Sequence, residues 1–153
     1  MKTAAEAHTV FAMPVSSRLA VATHILTVMA VKEGVPVGSE DIAKRASTNA
    51  AVVRKIISML GRAGITTSQP GAKGGTCLAR SPEQITLLDI YRAVDSQEIF
   101  ASPNCPPDAA CPIGSRIGPV LDVVKARATD AMQAELAAVS IAEIAAKLKP
   151  ATA

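Results

Sequence analysis

Apolar positions in the first half of the chain recur at helical spacing. Leu19, Ala22, Leu26 and Met29 lie three or four residues apart, which predicts a helix from a cap at Ser16 or Ser17 to about Ala30, ended by Gly34 and Pro36. Ser39 offers a second N-cap. Glu40 and Asp41 suit the positive end of a helix dipole, and Ile42, Ala43 and Ala46 share one face of a helix about two turns long. After Ser47, Thr48 and Asn49 a third helix is predicted, with Val53, Ile56, Ile57 and Leu60 as its stripe and Gly64 as its stop. Arg54, Lys55 and Arg62 are left for another face.

Beyond Gly64 the pattern changes. Ile65, Thr66 and Thr67 read as a strand, PGAKGG as a tight glycine-rich turn and TCLAR as a returning strand. Two short helices across a polar turn, the second carrying basic residues outside its apolar stripe, form a helix-turn-helix pattern. A hairpin directly after the second of them is a wing. Lys73 stands at its tip, within reach of a phosphate or the minor groove, and Gly74 and Gly75 read as backbone requirements of the turn.

Thr86 and Asp89 have the spacing of a capping box for a short helix with Leu87, Leu88, Ile90, Tyr91 and Val94. From Asp95 to about Ala110 apolar periodicity fails and Pro103, Asn104, Pro106 and Pro107 indicate a loop. A long helix follows from Pro112 or Gly114. Its seam runs through Ile117, Val120, Leu121, Val124, Ala128, Met132, Leu136 and Val139 at spacing close to a heptad repeat, and Pro119 is tolerable only near its start. Ser140 and Glu143 open a last short helix through Leu148. So small a domain offers little to cover the long seam, which leaves a twin helix in a dimer or packing back on its own domain. The fold class expected is mainly α with a small β-hairpin wing. It divides into an N-terminal extension (1–15), a winged helix-turn-helix domain (16–95), a cysteine-containing loop (96–111) and dimerisation helices (112–149).

Composition agrees: the chain of 153 residues is 49% hydrophobic but only 2% aromatic, so its core must be built from Ala, Val, Ile and Leu between helices. No apolar run is long enough to span a bilayer, and the start lacks the features of a secretory signal, which predicts a cytoplasmic protein with no membrane partner. Charge adds a direction. Residues 16–80 hold nine Lys or Arg against three Asp or Glu, a balance of +6, while the chain from Ser81 onward holds six against nine, a balance of −3. A basic half suits docking on phosphates and an acidic half suits self-association or sensing, although solvated faces alone could produce the same asymmetry. Enzyme function is not expected, because the chain has no phosphate-cradling loop, no HExxH and only two histidines. His24 reads as a packed or polar core residue.

Several blocks together resemble the Rrf2, or BadM-type, bacterial transcriptional regulators: SRLAVATHIL, VVRKIISMLGRAG, PGAKGGTCLAR, ITLLDIYRAVD and CPIGSRI, in that order from Arg18 to about Leu148. The resemblance implies a homodimer on a palindromic operator of double-stranded DNA, usually as a repressor. Within that frame Thr48, Asn49, Ala51, Val52 and Lys55 are expected to face the major groove, with Arg54 on bases or phosphate. Arg18, Lys73 and Arg80 would position the duplex through phosphates or remain ordinary solvated charges. A winged helix that binds a protein instead of DNA is the alternative from another class.

Some members of the family hold an iron-sulfur cluster with three cysteines in the loop before the long helix. Cys105 and Cys111 match two of those positions, but Ile99 stands where the first would fall, and Cys77 lies in the predicted wing. Two thiolates fall short of the four ligands a cluster takes, so no cofactor is expected, and cluster-based or nitric-oxide sensing is the alternative. The CPIG segment resembles the branch without a cluster. Cys111 at a helix N-terminus favours thiolate, which makes Cys105 and Cys111 a candidate redox pair; two unreactive cysteines are the competing reading.

Overall fold

A computed structural model describes residues 15–95, 99–100 and 110–148. The elements run α1 (Val15–Val31), α2 (Ser39–Arg45), α3 (Ala50–Arg62), β1 (Thr66–Gln69), β2 (Gly75–Leu78), a 3-10 turn (Pro82–Gln84), α4 (Leu87–Val94), α5 (Gly114–Ala137) and α6 (Ile141–Leu148). The architecture is the one expected, mainly α with one two-stranded antiparallel hairpin.

The core follows from the stripes. Ala22, Ile25, Leu26 and Met29 line the inner face of α1, and they meet Ile42 of α2, Val53, Ile56 and Leu60 of α3, and Ile90 and Val94 of α4. Branched aliphatics at helical spacing fill this space without aromatic rings. Past Val31 the chain turns through Glu33 and Gly34, both at positive φ. Helix α3 ends in a Schellman motif: Gly64 adopts φ +68°, its N–H donates to Gly61 O (3.0 Å), and the N–H of Ile65 donates to Leu60 O (3.0 Å). Ile65 and Leu60 are both buried there, so the stop also anchors the entry to the wing.

Four local expectations change. Ser16 and Ser17 lie inside α1, which already includes Val15, and neither is its cap. Ser39 is the first residue of α2 and not its cap; Gly38 takes that place in an extended conformation with no side-chain bond. The cause is Val37, whose N–H and C=O pair with Thr76 at 3.0 Å each, so the linker after α1 leaves an extended segment beside β2 and enters the helix one residue early. The wing strands are shorter than TCLAR and shifted off Ile65, with Thr67 opposite Cys77 and Gln69 opposite Gly75. His24 is exposed on α1 and not part of the core.

The capping box at α4 forms as expected: the Thr86 hydroxyl accepts from Asp89 N–H (3.2 Å) and Asp89 Oδ2 accepts from Thr86 N–H (3.0 Å). At α6 only half of the second box forms. Ser140 Oγ accepts from Glu143 N–H (3.2 Å), while the Glu143 carboxylate takes Lys147 Nζ at 2.8 Å. Helix α6, grouped with the long helix on sequence grounds, returns to the winged-helix core: Ile141 is buried among its side chains and its N–H donates to Ile85 O at 2.9 Å.

The long helix behaves differently. Helix α5 runs 24 residues with Pro119 inside it and has no buried residue. Arg92 of α4 reaches Gln133 at 3.1 Å, and Met132 and Leu136 are half-buried, so its second half lies against the domain. Its first half does not. Ile113, Ile117, Val120 (63% exposed), Leu121 and Val124 stand in solvent in the isolated chain.

Candidate nucleic-acid interface

Helices α2 and α3 are joined by a tight turn in which Ser47 adopts φ +47° and Thr48 N–H donates to Ala43 O at 3.0 Å. Asn49 caps α3: its side-chain oxygen accepts from Ala51 N–H at 2.6 Å. The carboxamide oxygen therefore has a structural task, while its NH2 group carries two donors that could meet a base. Thr48 is half-buried beside it. Val52, expected in the groove, is 6% exposed and packs with Val53 and Ile56 in the core, because its place in the helical repeat continues the apolar stripe one turn earlier. The outer face of α3 is thus Ala51, Arg54, Lys55 and Ser58, all exposed.

Arg54 is held from behind. Its Nη1 donates to Glu40 Oε1 (3.3 Å) and Ser39 Oγ (3.4 Å), which ties the recognition helix to the first turn of α2. Between α3 and the wing lies an open groove of about 750 Å³ whose walls carry Ser39, Arg54, Ser58, Thr67, Ser68 and Thr76. Hydroxyls and one guanidinium form a donor-rich wall suited to a sugar-phosphate strand. Sequence reading missed Ser58, Thr67 and Ser68, since no single-residue signal marks a serine as lining a groove.

The wing is built as its glycines require. A Cβ on Gly74 would run into the Gln69 carbonyl, and one on Gly75 would meet the Val37 backbone, 2.8 Å from its oxygen. Lys73 is exposed between the strands. Arg80 is placed elsewhere: its Nη2 lies 3.9 Å from Asp89 Oδ2, at the cap of α4. Arg18 is half-buried near the start of α1.

Cys77 is buried in β2 and donates to Gly34 O at 3.4 Å, so its thiol belongs to the base of the wing. Cys111 is exposed where α5 begins. Its sulfur accepts from Gly114 N–H at 3.3 Å, and that bond, followed by one from Ile113 N–H, holds the thiol below its ordinary range by stabilising the anion. Cys105 lies outside the described residues. The donor set does not fit an iron-sulfur cluster held by one chain: the loop supplies two cysteines, and Ile99 stands where the first of three would fall. Among the described residues no group of three or more His, Cys, Asp or Glu is arranged to hold a metal ion.

A family profile described as Rrf2, iron-dependent transcriptional regulator, matches residues 15–147. The chain belongs to the Rrf2 family. It is 40% identical over 130 residues to the HTH-type transcriptional regulator YwnA of Bacillus subtilis, covering 85% of this chain and 96% of that protein. The crystal structure of a protein described as DNA binding superposes with a TM-score of 0.67 at 38% identity, over 83% of this chain and 97% of that one. IscR of T. potens shares the fold at a TM-score of 0.68 and 23% identity, over 93% of both chains. Rrf2 members are DNA-binding transcriptional regulators and not enzymes, and this chain is one of them. No helix among the described residues is long and apolar enough to cross a membrane.

Proposed function

We propose that this Rrf2 regulator is a cytoplasmic homodimeric repressor that reads a palindromic operator with the outer face of α3 and steadies the duplex with the wing. The observation that carries the reading is the pairing of an exposed basic helix face, Arg54 and Lys55, with the hydroxyl-lined groove beside it. In this reading Asn49, Arg54 and Lys55 meet bases or phosphates, Thr48 supports the turn behind them, and Lys73 at the wing tip adds a phosphate contact. Arg80, engaged near Asp89, acts by bracing α4. Arg18 is assigned to phosphate contact only. The exposed apolar half of α5 supports the dimer: a second copy would cover Ile117, Val120, Leu121 and Val124 and set two α3 helices one DNA turn apart, about 34 Å.

Sensing is assigned to the Cys105 and Cys111 thiols, without an iron-sulfur cluster. The Cys111 thiolate attacks a peroxide oxygen, giving a sulfenic acid and releasing hydroxide; the Cys105 thiol then attacks that sulfur, forming a disulfide as the second oxygen leaves as water. A crosslink at the start of α5 would shift the dimer helix and with it the spacing of the two α3 helices.

The test is fluorescence anisotropy with the promoter of the protein's own gene across a salt series. Binding should weaken steeply with salt, and Lys55→Ala should lower the log–log slope by about 1. An absence of binding at low salt refutes DNA reading and favours a protein-binding winged helix. Unchanged affinity after peroxide has oxidised both thiols refutes the redox assignment.

A further inference from the structure

A second cleft lies outside the DNA-facing module, between α1 and α6. It encloses about 420 Å³, within the usual range for small-molecule sites. Val28 and Val31 of α1 face Ile144 and Leu148 of α6 across it, and Val31 (48% exposed) and Leu148 (66% exposed) leave large apolar surfaces at its mouth. Thr27 is buried and spends its hydroxyl proton on Thr23 O at 2.8 Å, within the helix, and Thr23 and His24 also line the cleft. One end is cationic. Lys32, half-buried just past α1, and Arg45, the last residue of α2, both line it, and none of the described lining residues is acidic. Arg45 uses Nε on Asp41 Oδ2 (3.1 Å), which leaves further guanidinium N–H donors for a ligand.

We propose that this cleft binds a small organic anion with an apolar body, such as an aromatic or medium-chain carboxylate. Its hydrocarbon part covers Val28, Val31, Ile144 and Leu148, and its carboxylate sits between Lys32 and Arg45. Charge complementarity selects this occupant: a neutral apolar molecule would leave the Lys32 ammonium and the remaining Arg45 N–H donors facing it, and a cationic one would be repelled. The anion would join the end of α1 to the end of α2. Helix α2 carries Glu40, which holds Arg54 of α3, so occupancy would bias the recognition helix. This regulatory half rests on the DNA-reading function proposed above; the binding half does not.

The test is calorimetry on the full chain without DNA, using phenylacetate, octanoate and the neutral phenylacetamide. One saturable site per chain is expected for the two acids. Binding should weaken by about tenfold or more for the amide and for the acids with Lys32→Gln, and Val31→Glu should abolish it while leaving the thermal melt intact. No saturable binding, or equal binding of acid and amide, overturns the proposal. So does a Val31→Glu variant that converts a dimer into monomers, because a second copy would then fill the cleft. With DNA added, phenylacetate should change operator affinity in the wild type and not in Lys32→Gln. Acid bound with unchanged DNA affinity overturns the regulatory half, whereas loss of all DNA binding refutes the DNA reading and leaves the calorimetry standing.

Discussion

Asn49 allows stability and recognition to be separated at one position. Its side chain caps α3 by accepting from Ala51 N–H at 2.6 Å, and it stands exposed at the end of the helix that would enter the groove. Asn49→Ala removes the acceptor and leaves a first-turn N–H to water. N-cap losses of this kind cost about 1 kcal/mol, within a range of roughly 0.5–2. For a domain of this size that lowers Tm by about 3–5 °C. Asn49→Asp keeps the acceptor and adds a negative charge that the helix dipole favours, so its melting point should equal or exceed the wild type. The same charge faces the phosphates, so DNA affinity should fall. The assay is a thermal melt by circular dichroism at fixed protein concentration, paired with anisotropy on operator DNA, since the Tm of a dimer would depend on concentration. The reasoning fails if Asn49→Ala melts within about 1 °C of the wild type, or if Asn49→Asp destabilises as much as Ala.

Two further outcomes follow from the wing and from the start of α5. Gly75→Ala places a methyl 2.8 Å from Val37 O, so the two Val37–Thr76 hydrogen bonds should open at a cost of about 1–3 kcal/mol; amide exchange at Val37 and Thr76 measures this, and unchanged protection there contradicts it. Cys111 should alkylate with iodoacetamide with a pH midpoint below that of an ordinary thiol, about 8.5, because hydrogen bonds to the sulfur favour the thiolate and extend its population to lower pH. A midpoint at or above that of an ordinary thiol shows that the bond from Gly114 N–H does not tune the sulfur.

Local chemistry was legible wherever a residue's neighbours in sequence are also its neighbours in space. The stripe of α3, the stop at Gly64, the Thr86–Asp89 box and the demand for glycine at position 74 all involve residues a few positions apart, and each forms as its pattern implies, whereas the demand at Gly75 comes from distant Val37. The candidate site was only partly legible. Lys55, Arg54 and Lys73 are exposed, as charge and position lead one to expect, but Val52 lies on the inner side of its helix, Asn49 is engaged as a cap, and Arg80 turns to Asp89. Ser58, Thr67 and Ser68 carry no signal until the wing folds against α3.

The sequence by itself determined the winged helix-turn-helix, the basic face and the family, because periodicity, turn residues and charge are local or additive properties. Only the tertiary structure decided which long-range pairs form. Val37 joins the wing and displaces the cap of α2, α6 returns to the core through Ile141, and α1 and α6 leave a cleft with two cations at its end. These arrangements depend on which apolar faces find each other once the chain collapses. Burial is non-directional and favours any apolar partner, so a one-dimensional pattern shows that a face must be covered but not what covers it.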